Sequence, residues 1–356
     1  MTEFLYMLFA FLPFMVCLVW LAVFTADFRK SSRPRRAMTF FALACSMLYF
    51  CHAWFFMPES GDSRLVNAVY LFCNLSVYPL FYRYIAILTR DEPFRWKVVL
   101  ILLPALLFSV LGYITRENAT VIEIAKIVFA VEVVLVAVFG LRDLSSFDKS
   151  IRGYYSDTEG KTMYGTRVVL ICMVLTSLLS IVFNLIGRTR FLGSLLITIP
   201  SIAFSVMLFS IFYGSSRIGF WSRDFNEEIK SDDTIASGSP AQEEEQLEAR
   251  ISAVMAEQKL FLQPGLKISD VARVVGSNRT YVSNAINNAG GMSFADYVNI
   301  RRIEYAKDLL TGSREEDVAI TDVAAECGFA SFTSFYRAFV KFERKSPSQW
   351  LKERKG

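Results

Sequence analysis

Seven apolar runs, each close to the roughly 20 residues that a helix needs to cross a bilayer core, occupy positions 4–26, 37–57, 65–88, 96–115, 121–141, 168–187 and 191–213. The chain is 53% hydrophobic and holds 32 Phe, more apolar than a soluble protein of this size. Nearly all of that excess lies before Gly214. The expected fold is therefore all-α, a seven-helix transmembrane bundle over residues 1–213 followed by a soluble part. Only Met1, Thr2 and Glu3 precede the first run, with no basic residue and no small-residue cleavage site after it. It is expected as the first span rather than a removed signal peptide.

Charge in the loops orients the bundle. The loops after runs one, three and five carry thirteen Lys and Arg, against four in the alternate loops. By the positive-inside rule the amino terminus lies outside and the end of run seven lies in the cytoplasm. The chain is thus expected as a multi-pass protein of the cytoplasmic membrane, with everything after residue 213 inside the cell. Residues 214–242 are polar, acidic and broken by Gly and Pro, which fits a flexible acidic linker. A coil of about 25 residues spans only about 28 Å. Ser239, Pro240 and Gln242 then form a helix start, with Leu247, Ile251, Val254 and Met255 spaced to face inward.

The soluble part is organised around residues 320–340, ITDVAAECGFASFTSFYRAFV. It reads as two short helices broken at Cys327-Gly328-Phe329, a helix-turn-helix. Ala324 is small enough for the helices to cross closely, and Gly328 four residues later tolerates a left-handed turn. The same Ala-to-Gly spacing recurs 52 residues earlier, at Ala272 and Gly276 in ISDVARVVGSNRTYVSNAI. Between the copies, residues 293–310 carry Phe294, Tyr297, Val298, Ile300, Ile303, Ala306 and Leu310 at helical spacing, with Ser293 and Asp296 as a capping pattern. Ser346-Pro347-Ser348-Gln349 starts a closing helix bearing Trp350.

The last hundred or so residues resemble the DNA-binding module of AraC/XylS-type transcription regulators, on GMSFADYVNIRRIEYAKDLL, DVAAECGFASFTSFYRAF and KSPSQW. The resemblance implies a module over residues 243–356, with two helix-turn-helix subdomains joined by a linker helix and bound to double-stranded promoter DNA. The first turns of a second helix meet base edges, which leaves Arg279, Thr280, Ser283 and Asn284 in the first copy. In the family pattern the positions of Thr280, Ser283 and Asn284 face the major groove. Asn284 stands where many members carry Arg, which favours adenine over guanine as its contact. In the second copy the outward candidates are Phe332, Thr333, Tyr336 and Arg337. Arg337 matches a position usually held by Arg and suits either a guanine or a phosphate. Phe332 departs from the family's polar residue there.

Chemistry in the membrane part is sparse. The only histidine is His52, and six cysteines form no CxxC pair, which argues against histidine triads, multi-histidine metal sites and a disulfide framework. No catalytic residue, cofactor or metal site is expected. Polar residues inside apolar runs are costly, so Glu132, His52 and Asn184 are the candidates for signal sensing, with interhelical hydrogen bonding as the plainer role. Glu123 and Lys126 are spaced to pair. Arg83 is expected to reach the membrane surface, and Pro79, Pro104 and Pro200 to kink their helices. The combined expectation is a membrane-tethered one-component regulator. Its partners would be promoter DNA, membrane lipid, a small-molecule or membrane-derived signal, a second copy of itself, and RNA polymerase if it activates. A transporter or membrane enzyme fused to the module, and a helix-turn-helix pair that binds protein, are the alternatives.

Overall fold

The computed structural model describes residues 2–26, 28–55, 57, 63–90, 100–186, 198–218, 225, 244–312 and 319–355. Among them the chain is helical throughout, and it divides into two units. One comprises Met1–Ser145 and Met163–Asn226, the other Ser146–Thr162 and Glu227–Gly356.

Seven helices of the first unit fall on the seven apolar runs. They are α1 (Thr2–Thr25), α2 (Arg33–Phe55), α3 (Arg64–Arg90), α4 (Leu103–Ile114), α5 (Ala119–Tyr154), α6 (Tyr164–Ile186) and α7 (Thr198–Ile218). Among the described residues α2, α3 and α5 are long and apolar enough to cross a membrane, while α1, α4, α6 and α7 contain shorter apolar stretches. Their outer faces are apolar too: Ile124, Ile127, Val131, Val134 and Val138 of α5 all point outward. An apolar outer face of this kind is unlike that of a helix at a water-washed surface. Polar side chains also tie these helices together. Tyr78 Oη donates to the Met173 carbonyl at 2.8 Å, Asn67 Nδ2 donates to Glu117 Oε1 at 2.6 Å, and the Glu123–Lys126 pair forms at 2.7 Å on an exposed face.

Four expectations change here. Pro104 does not kink α4 but starts it, sitting in the first turn where its missing N–H is not needed. Arg83 is only 7% exposed, because α3 turns that position toward its neighbours instead of outward. Helix α7 runs to Ile218, so the first residues of the stretch read as a tether are helical, while most of that stretch and the helix start at 239–242 lie outside the described residues. Helix α5 continues thirteen residues past the apolar run that ends at Leu141. At 36 residues it is about 54 Å long, and its turns from Ser146 onward belong to the second unit.

The second unit holds α8 (Glu244–Glu257), α9 (Ile268–Val274), α10 (Arg279–Gly290), α11 (Phe294–Gly312), α12 (Ile320–Glu326), α13 (Phe332–Glu343) and α14 (Pro347–Lys355). Leu247, Ile251 and Met255 of α8 are buried as their spacing requires. Helix α11 is the spine. Ile303, Ala306 and Leu310 on it pack with Val323 and Ala324 of α12, Phe335 and Phe339 of α13 and Trp350 of α14 in one apolar core. The caps lie where the sequence placed them: Ser293 Oγ accepts from Asp296 N at 3.2 Å. Ser346 and Gln349 bond reciprocally, backbone N–H to side-chain oxygen, at 3.3 and 3.1 Å.

Both turn glycines are left-handed, Gly276 at φ 63° and Gly328 at φ 80°, but they differ in crowding. A Cβ on Gly328 would lie 2.2 Å from the Leu262 carbonyl oxygen, whereas one on Gly276 would meet only the tip of Arg250 at 3.5 Å. Gly276→Ala is therefore expected to cost about 1–2 kcal/mol, the backbone conformation alone. Gly328→Ala should cost upward of about 3 kcal/mol, because a backbone clash adds to the same strain. Protease resistance of the C-terminal unit in the full chain, measured across a urea series, separates the two. Equal losses would show that the close approach to Leu262 carries no energy.

Candidate nucleic-acid interface

Two helix pairs, α9 with α10 and α12 with α13, share the spine α11. In the first pair, Asn278 caps α10 by accepting from Tyr281 N at 2.9 Å. Val282, Ala285 and Ile286 are buried, which fixes the roll of α10 about its axis. Thr280 and Asn284 are consequently exposed, with Arg279 and Ser283 half-buried beside them. In the second pair Ser331 caps α13, its Oγ accepting from Ser334 N at 3.1 Å. Phe335, Ala338 and Phe339 face the core, so Phe332, Thr333, Tyr336 and Arg337 are all exposed. The Phe332 and Tyr336 rings lie 6.3 Å apart and give this helix an apolar edge next to Arg337. Each second helix thus presents a capped, electropositive amino terminus with polar side chains around it. That is the geometry by which such helices enter a major groove and meet phosphate.

Two features of the site were not anticipated. Arg302 on α11 is fully buried. Its Nε donates to the Phe261 carbonyl at 2.6 Å and an Nη to the Gln263 carbonyl at 2.8 Å, so it holds the turn that leads into α9. Its guanidinium also lies 5.3 Å from the Phe329 ring, inside the second turn. Burial pulls its pKa down to about 10, with Asp157 acting in the other direction, and it stays cationic at neutral pH. One side chain therefore links the approach to the first pair with the turn of the second. The other feature is the segment after α5. Tyr155 pairs with Lys267 as an isolated antiparallel bridge, Ser156 N donates to the Leu266 carbonyl at 3.0 Å, and the Tyr154 ring lies 5.9 Å from the Arg279 guanidinium. A signal existed for this segment, since Leu141, Leu144, Phe147, Ile151 and Tyr154 recur at helical spacing.

The signal-sensing candidates are not gathered into one site. His52 lines a cavity of about 90 Å³ with Asn74, Tyr49, Tyr78 and Ser177. That volume suits a few water molecules and falls short of the roughly 300 Å³ of a usual ligand pocket. Glu132 lies outside this lining, half-buried, with no hydrogen-bond partner for Oε2 among the described residues. Asn184 falls on α6, and its side chain lies outside the described residues.

Residues 271–353 match the family described as a helix-turn-helix domain. Over 96 residues, 27% of this chain, the protein is 33% identical to an uncharacterized HTH-type transcriptional regulator of Staphylococcus aureus (strain MSSA476), covering 12% of that relative. Over 83 residues, 23% of this chain, it is 34% identical to the uncharacterized HTH-type transcriptional regulator YijO of Escherichia coli (strain K12), covering 28% of it. The likeness therefore spans a minor part of each relative. No solved structure matches the chain. The C-terminal unit contains a helix-turn-helix domain similar to that of transcriptional regulators, and the family match begins after the apolar helices.

Arg302→Leu should lower the stability of the C-terminal unit by about 2–5 kcal/mol, since two buried carbonyls lose their donors. Arg302→Lys should recover less than half, because an ammonium lacks the planar fork that serves both oxygens. The same protease-and-urea series reads both, and a fully stable Lys variant would show that charge alone suffices.

Proposed function

We propose that the protein is a membrane-tethered one-component transcription regulator: a seven-span helical domain receives a signal, and the helix-turn-helix pair at residues 243–356 binds promoter DNA in the cytoplasm. The observation that carries the reading is the pairing of two capped recognition helices, with Thr280, Asn284, Thr333, Tyr336 and Arg337 exposed, in a chain that also holds helices long and apolar enough to cross a bilayer. The thirteen-to-four bias of basic residues between alternate loops supports an outside amino terminus and an inside module. The chain acts by binding, and two tethered copies gain affinity for paired sites through effective concentration.

Reporter fusions after Met57, Leu88, Leu141 and Tyr213 test the membrane half. An internal readout after Met57 or an external one after Tyr213 would overturn the proposed topology. With the amino terminus outside, Met57 follows two spans and should report outside, whereas Leu88, Leu141 and Tyr213 follow three, five and seven spans and should report inside. Selection of duplexes from a random library with the full chain in lipid nanodiscs tests the DNA half. Arg337→Ala should then weaken the selected duplex by about 1–3 kcal/mol and relax one base position. A uniform loss on every sequence would make Arg337 a phosphate anchor.

Glu132 is the proposed coupling residue, because an acid in an apolar helix is expensive to keep unless it is protonated, paired or wetted. Glu132→Gln should lock the output of a reporter gene high or low at unchanged protein level. A normal signal response, or failure to accumulate, would reduce Glu132 to a packing role.

A further inference from the structure

Residues 154–161 run past the starts of α9, α10 and α13 in the C-terminal unit. Tyr154 and Ser156 are each 1% exposed, so this is a packed contact. At the first helix pair, Tyr154 Oη lies 3.3 Å from Ser269 Oγ and Ser156 N bonds the Leu266 carbonyl, both at the start of α9. The Tyr154 ring faces Arg279, the first residue of α10. At the spine, Asn299 Nδ2 donates to the Ser156 carbonyl at 3.4 Å. At the second pair, the Ser331 hydroxyl that caps α13 donates to the Glu159 carboxylate. The Tyr155 ring is flanked by Lys161 at 4.1 Å and Lys267 at 5.8 Å.

These contacts share one property. In a helix-turn-helix the first helix lies across the sugar-phosphate backbone, and the start of the second meets bases and adjacent phosphates. The segment touches the start of α9 and the starts of α10 and α13, and at α13 it does so with an anion. A carboxylate at a helix amino terminus takes the place a phosphate would favour, and it repels a second anion there.

We propose that residues 154–161 are a built-in competitor of DNA: the Glu159 carboxylate and the phosphate backbone of a duplex contend for the amino terminus of α13, so that the segment must leave Ser331 before the second recognition helix engages. The inference rests on the DNA-binding reading above and adds its regulation. Sequence supplies the control, because the segment joins α5 to α6, two helices of the apolar unit. A change in those helices alters the segment directly.

The test uses the full chain in lipid nanodiscs, with duplexes selected from a random library in parallel on the wild-type chain and on Glu159→Gln. Glu159 is exposed, so the substitution spares the fold. Its affinity for the selected duplex should rise by about threefold to fivefold, the scale of one exposed charge interaction. A second arm uses Glu159→Cys with Ser331→Cys, with Glu159→Cys alone as control. The oxidised pair should lose most duplex binding, reductant should restore it, and duplex added before oxidation should slow the cross-link. If the wild-type chain binds a duplex and Glu159→Gln binds equally or more weakly, while the oxidised pair binds as well as the reduced one, the competitor is disproved and the DNA-binding reading stands. If no chain enriches any duplex, the DNA-binding reading fails and takes the competitor with it.

Discussion

A helix-turn-helix works only if its turn is tight enough to set the second helix at a fixed angle, and in the second copy that tightness is a contact between backbones. Gly328 sits against the Leu262 carbonyl with no room for a Cβ, and its left-handed φ closes α12 against α13. Arg302 reaches the same place from the spine, bonding the carbonyls at 261 and 263 while its guanidinium lies near Phe329. The short turn Leu260–Leu262 is thus held by a missing side chain on one side and a buried cation on the other. The roll of α13, and with it the exposure of Thr333, Tyr336 and Arg337, follows from how this turn is seated.

Much of this was legible in the residues. The repeated Ala-to-Gly spacing gave both turns, the apolar periodicity gave the spine, and Ser293 and Ser346 gave caps that form as read. The outward residues followed from which positions of α10 and α13 had to face the core. Local chemistry settled these features, and local chemistry is what a sequence displays. Arg302 was illegible for the opposite reason. Beside Arg301 on an amphipathic helix it looks like any surface cation, and only carbonyls some forty residues away account for its burial. Arg83 misled in the same way, since its burial depends on what packs against α3. The extension of α5 was legible in principle in Leu144, Phe147, Ile151 and Tyr154, all buried, but the polar residues interspersed from 142 to 150 end the apolar run.

Both units tie neighbouring helices together with polar groups. In the first, Tyr78 bonds the Met173 carbonyl, Asn67 bonds Glu117 and Arg90 pairs with the buried Asp143, while a half-buried acid, Glu132, has no partner for Oε2 among the described residues. In the second, ion pairs such as Lys307–Glu343 at 2.8 Å tie neighbouring helices at the edge of an apolar core.

The C-terminal unit is discontinuous in the chain: residues 146–162 belong to it, yet residues 163–226 separate them from its remainder, which starts at Glu227. A protease that cut the connection between α7 and α8 would not, by that cut alone, set the helix-turn-helix pair adrift. The bridge at Tyr155 and Lys267, the bond from Ser156 to Leu266 and the buried Tyr154 would still hold the fragment to a piece of chain anchored on both sides by apolar helices. Separating the pair from the apolar helices needs two events, a cut and a dissociation, and only the first is irreversible.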